Sequence, residues 1–150
     1  NYIITIPDKV DFGTLTQPET DIDSFKDLNF TVTATKIENL SDTDYVVIRV
    51  KNEGATVDDS AFYLTQKTSP NTKLTYDMYD RKTIVDSDIP LNKGRMVNPD
   101  GYYLGDFQNT GDSKTGTLRL NQKQLYGKDI AEIAGDYSGT MVFTSSILTF

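Results

Sequence analysis

Leu28-Asn29-Phe30-Thr31-Val32-Thr33-Ala34-Thr35-Lys36-Ile37 alternates apolar and polar side chains, with Leu28, Phe30, Val32 and Ala34 on one side. Successive side chains of a strand point to opposite faces, so this period of two predicts a half-buried β-strand. Further along, Tyr45–Val50 (YVVIRV) is the strongest strand in the chain. Turn-forming Ser41-Asp42-Thr43-Asp44 precedes it and Asn52-Glu53-Gly54 follows it.

Working outward towards the start, Tyr2–Ile6 reads as a strand that stops at Pro7. Pro7-Asp8-Lys9 makes a corner, and Val10–Leu15 resumes as a strand with Val10 and Phe12 on one face. An acidic polar loop, Gln17–Asp27, follows. Towards the end, Ala61–Thr65 and Lys73–Tyr79 flank a Ser69-Pro70-Asn71 turn. Ile84-Val85 and Ile89 predict a short strand, and Asn98-Pro99-Asp100-Gly101 a turn. Gly116–Leu120 alternates again. Gln124–Gly135 is the one helix candidate, with Leu125, Ile130 and Ile133 as its apolar stripe; Gly127 and Gly135 limit it to a turn or two. Tyr137–Phe143 is the last strong strand, and Ser145-Ser146 predicts a bulge or bend before Ile147–Phe150. These are about eight to ten short strands at the spacing of a sandwich. A parallel sheet would need crossover helices, and none is present. The expectation is one all-β domain over 1–150: an antiparallel β-sandwich, immunoglobulin- or pilin-like with Greek-key connections, and at most one short helix.

Composition removes whole classes of function. The 150 residues carry a net charge of −7 and no clustered Lys/Arg run, whereas nucleic-acid binding needs a basic stripe to neutralise phosphates. Anionic membrane surfaces are disfavoured by the same repulsion, and no apolar run is long enough for membrane insertion. Cys, His and Trp are all absent. That excludes a disulfide framework, thiolate or imidazole metal sites, and His-assisted nucleophilic catalysis. An enzyme would have to rely on carboxylates, Lys or Tyr, and the expectation is that the chain is not one. It begins at Asn1 without Met, which suggests a trimmed mature protein or an expressed fragment, so secretion is an inference.

Two residue patterns remain as candidate sites. Asp21/Asp23, Asp42/Asp44 and Asp86/Asp88 are Asp-x-Asp pairs of hard oxygen ligands that could hold Ca²⁺, with Asp42/Asp44 and Asp86/Asp88 the better candidates. None continues into a calcium-loop pattern, and the competing reading is a solvated acidic turn. Tyr102-Tyr103, just after the Asn98–Gly101 turn, is the one exposed-looking aromatic pair and a candidate platform for a sugar ring. A rim or core role for it competes. Gly111–Gly116 has the wrong spacing for a phosphate loop.

The two ends of the chain carry a recognisable pattern. Ile6-Pro7-Asp8-Lys9-Val10-Asp11-Phe12-Gly13-Thr14-Leu15 resembles the "P-x-x-V-x-F-G-x-L" entry of bacterial surface sandwiches. Ala134-Gly135-Asp136-Tyr137-Ser138-Gly139-Thr140-Met141-Val142-Phe143 resembles the "A-G-x-Y-x-G-x-V-x-F" strand of fimbrial subunits. Spore coat protein U-type domains and the WxL cell-surface domains of Gram-positive bacteria share versions of both. The chain lacks the Trp of WxL domains and the disulfide of many spore coat U-type and chaperone–usher subunits. The resemblance implies a secreted, extracellular structural or adhesive domain that binds other surface-protein subunits or a host or cell-wall ligand. It also implies that an N-terminal strand is donated to a neighbour by strand addition. Tyr2–Ile6 suits such a donor as well as an ordinary first strand, and the ordinary strand is the expectation. The alternative function is a calcium-stabilised carbohydrate-binding module; otherwise no cofactor is expected.

Overall fold

The computed structural model describes residues 1–150 and contains nine strands, every pair of them antiparallel. They are β1 (Tyr2–Thr5), β2 (Phe25–Ile37), β3 (Asp44–Asn52), β4 (Phe62–Gln66), β5 (Lys73–Tyr79), β6 (Tyr102–Phe107), β7 (Ser113–Asn121), β8 (Tyr137–Ser138) and β9 (Met141–Thr149). Six form one sheet in the order β1-β2-β7-β5-β4-β8, and three form the other in the order β6-β3-β9. The chain passes repeatedly between the sheets, so their facing sides close one core. The expected antiparallel β-sandwich is what forms. Its helical content is two single-turn 3-10 segments, Leu91–Lys93 and Gln122–Leu125, and one α-turn, α1 (Ile130–Ile133). None is long and apolar enough to cross a membrane.

The alternation read from the sequence is the burial pattern. Phe30, Val32 and Ala34 of β2 face Val46, Ile48 and Val50 of β3 in a 17-residue apolar cluster, joined by Leu74, Tyr76 and Met78 of β5 and Leu118 and Leu120 of β7. At its centre Phe62 is 0% exposed. Its ring stacks on Tyr76 at 5.4 Å and packs against Tyr102 at 6.0 Å.

Four expectations need correction. Val10–Leu15 is not a strand: no residue from Ile6 to Leu15 shares a backbone–backbone hydrogen bond. Val10, Phe12 and Leu15 nonetheless turn inward against the core. Ile84-Val85 and Ile89 form no strand; Asp88 instead holds a turn by accepting from the Val85 N–H at 2.8 Å. Tyr137–Phe143 is split, because the chain leaves one sheet after Ser138 and enters the other at Met141. Gly139 sits at that crossing, where an added Cβ would lie 2.2 Å from the Tyr63 carbonyl oxygen. Only a residue without a side chain passes there. Finally, Ser145-Ser146 makes no bulge, since β9 pairs with β3 in unbroken register from Met141 to Thr149.

Candidate functional site: an unprotected edge beside a cleft

The two motif-bearing ends of the chain converge. Ile6–Leu15 forms one wall of a cleft of about 890 Å³, and Ala134–Met141 with Phe143 forms the opposing wall. Leu64, Leu74, Tyr76 and Leu118 make its floor. Each wall is held by a few specific hydrogen bonds. Thr16 donates its N–H to the buried Gln122 side chain at 2.6 Å, and the Gln17 amide donates to the carbonyls of Leu125 and Lys128, both at 2.8 Å. On the other wall, buried Gln66 donates to the carbonyls of Glu132 (3.0 Å) and Ala134 (2.7 Å), and the Tyr137 hydroxyl donates to Ile133 O at 2.7 Å. Burial pushes the Tyr137 phenol above its ordinary value, so at neutral pH it stays a donor. Between these anchors, Phe12 meets Tyr76 at 5.8 Å ring to ring. Gly13 takes a left-handed φ of 71°, which turns Leu15 back into the cleft after Phe12.

β9 starts at this cleft, with Met141 and Phe143 on its wall, and is an edge strand, paired on one side only. Its even-numbered residues point their amides and carbonyls at β3: Phe150 donates to Thr43 O (3.0 Å) and Thr140 O accepts from Glu53 N–H (2.9 Å). In an antiparallel ladder both backbone groups of a residue face the same neighbour. Met141, Phe143, Ser145, Ile147 and Thr149 therefore direct theirs to the side that carries no strand.

Natural sheets protect such edges with charge, proline, bulges or shortness. The other three edges here are protected. β1 has four residues and a register shift between Ile3 and Ile4. β6 carries Asp106, and its ladder shifts at Ile48/Arg49. β8 has two residues. β9 has nine residues, with no charge, proline, glycine or register shift, and it ends beside exposed Ile147 and Phe150. It is the one unprotected edge.

The residues singled out from sequence fall elsewhere. Tyr102 and Tyr103 are separated by strand parity: Tyr102 is buried, its hydroxyl donating to Ser60 Oγ at 2.8 Å, while Tyr103 is exposed on the outer face. No three His, Cys, Asp or Glu side chains come together as a metal site. Asp44 accepts from the Thr149 hydroxyl, and Asp88 from Arg81 at 2.7 Å. Asp42 and Asp86 are exposed. Asp21 and Asp23 lie 4.0 and 3.9 Å from the Lys123 ammonium. One carboxylate of Asp42/Asp44 and one of Asp86/Asp88 is thus engaged by a protein partner, and both of Asp21/Asp23 lie near one ammonium. The expected result of a thermal melt is an unchanged midpoint on adding millimolar calcium; a rise of several degrees would show that the loops rearrange around the ion.

No family model and no curated protein matches the chain. A solved structure described as a chaperone–tip adhesin complex in the biogenesis of CFA/I fimbriae contains a chain of similar fold, with a TM-score of 0.58 at 16% identity. The similarity covers 97% of this chain and 41% of that chain.

Proposed function

We propose that the chain is a non-enzymatic structural module of an extracellular bacterial surface assembly, and that it takes up an extended segment of a second copy along β9. The observation that carries this reading is the unprotected β9 edge lying beside a cleft. An incoming strand would pair with the free backbone groups of Met141, Phe143, Ser145, Ile147 and Thr149, and set side chains into the cleft at its Met141–Phe143 end. The chain's own Ile6–Leu15 lies there without any backbone ladder, so it shields the core but leaves the hydrogen-bonding capacity of the edge unused.

The donor is the same stretch, Asn1–Thr16, from a neighbouring copy. Tyr2–Thr5 is held in its own sheet by four residues and an irregular ladder, and Tyr2 reaches across to Ser145 of β9 at 3.0 Å. The donated stretch would give up only the short ladder of Tyr2–Thr5 to β2, and would gain along β9 of the next copy the backbone hydrogen bonds that Ile6–Leu15 lacks in its own. The fold likeness to a fimbrial complex, the two end motifs and the Cys-free acidic composition support an extracellular, fimbria-like setting.

Sedimentation of the intact chain titrated with a synthetic Asn1–Thr16 peptide tests the reading. Saturable one-to-one uptake of the peptide, and growth of oligomers at high protein concentration, are expected. A chain that stays monomeric at every concentration, with the peptide sedimenting free, would overturn it.

A further inference from the structure

Three strands of the smaller sheet together build a second concavity, on its outer face and away from the cleft. Its volume is about 470 Å³, and it is lined by Tyr45 and Arg49 of β3, Tyr103 and Asp106 of β6, Leu148 of β9, and Phe150. Val47 lies between them on the same face and is 1% exposed, although it belongs to no part of the inter-sheet core. The lining is therefore a packed layer with a closed floor.

The side chains have complementary chemistry. Tyr45 and Phe150 meet edge to face at 4.9 Å, with an angle of 72° between their planes. Tyr103 and Phe150 remain exposed. The Tyr103 hydroxyl donates to the Asp106 carboxylate. Burial first, and then that hydrogen bond and charge, push the phenol up to about 12, so it stays protonated at neutral pH. Arg81, Arg95 and Arg119 each pair with a carboxylate. Arg49, the remaining arginine, is half-buried in this concavity and makes no ion pair or hydrogen bond. A half-buried guanidinium in a concavity lined by aromatic residues, with no protein partner for its donors, is free to bind a ligand.

We infer that this concavity binds a neutral saccharide, one pyranose ring lying against Tyr103 and Phe150 with its hydroxyls bridging Arg49 and Asp106. A sugar hydroxyl both donates and accepts, which matches an acceptor carboxylate and a donor guanidinium on one rim. The C–H face of the ring matches the aromatic surface. An anionic ligand would meet both Asp106 and a net charge of −7. The site does not depend on strand uptake at β9.

Saturation-transfer NMR on the intact chain tests the inference, using methyl glycosides of glucose, galactose, mannose and N-acetylglucosamine, with methyl glucuronide as the anionic comparison. At least one neutral glycoside should bind saturably, and Arg49→Ala and Tyr103→Ala should each weaken it about tenfold or more. Phe150→Ala, at a mostly exposed ring, carries the test if either of those variants loses its fold. Absence of saturable binding by every neutral glycoside, binding unchanged in the variants, or tighter binding of the glucuronide would each overturn the inference.

Discussion

Phe62→Ala should lower the stability of the chain by about 3–5 kcal/mol, the usual cost of removing a fully buried phenyl ring. In a thermal melt that corresponds to a midpoint about 10–15 °C lower for a chain of this size. The size of the effect follows from position. Phe62 is 0% exposed and bridges the two sheets, stacking on Tyr76 of β5 and packing against Tyr102 of β6. Neither neighbour can collapse into the void, since the Tyr102 hydroxyl is tied to Ser60 and the far face of Tyr76 is packed by Phe12. Val97→Ala, at a side chain 89% exposed, should leave the midpoint in place. A Phe62→Ala loss below about 1 kcal/mol would mean that the core is not organised around this ring.

The second large effect is on assembly rather than stability. Ser145→Pro should reduce uptake of the Asn1–Thr16 peptide about a hundredfold or more while leaving the chain folded. Ser145 is the central residue of β9, and its N–H faces the empty side of the edge. Proline removes that donor, and its ring occupies the path of an incoming strand. The one lost hydrogen bond, about 1 kcal/mol, accounts for roughly fivefold, and the obstruction of the strand's path supplies the rest. The ladder to β3 is spared because it uses the even-numbered residues. The internal cost is the Ser145–Tyr2 hydrogen bond at 3.0 Å, about 1 kcal/mol. Peptide sedimentation and a thermal melt on the same sample separate the two effects. Undiminished uptake would place the donor on some other edge.

How much of the fold is legible in the sequence depends on whether strand parity survives along each segment. It survives in Phe30-Val32-Ala34 and in Val46-Ile48-Val50, so β2 and β3 and their inward faces can be read directly. It fails in β6: Gly105 and Asp106 lie beyond a register shift, so Tyr102 and Leu104 point inward and then Phe107, out of phase, does so too. Without the partner strand, that segment shows no more than an aromatic pair after a turn.

Val10 and Phe12 show the converse. Their alternation reports a buried face correctly, but burial of one face does not require a hydrogen-bonded neighbour. The division of Tyr137–Phe143 between sheets is hidden in the sequence because the approach of Gly139 to Tyr63 joins distant segments. The same holds for the site. Both end motifs are visible as patterns, while their meeting across one cleft and the lack of a second partner for β9 are properties of sheet order. The Asp-x-Asp pairs have the right ligand chemistry, but Asp88, Asp44 and Asp23 are directed to Arg81, Thr149 and Lys123, contacts that sequence spacing does not reveal.

The claim that β9 is an open, strand-accepting edge is tested most directly by amide hydrogen exchange across Met141–Thr149, with and without excess Asn1–Thr16 peptide. In the free chain, Val142, Thr144, Ser146 and Leu148 should exchange slowly, and Phe143, Ser145 and Ile147 fast. With peptide bound, the fast set should slow to match the slow one. Equal protection of both sets in the free chain, or fast exchange at Phe143, Ser145 and Ile147 that saturating peptide leaves unchanged, would contradict the account.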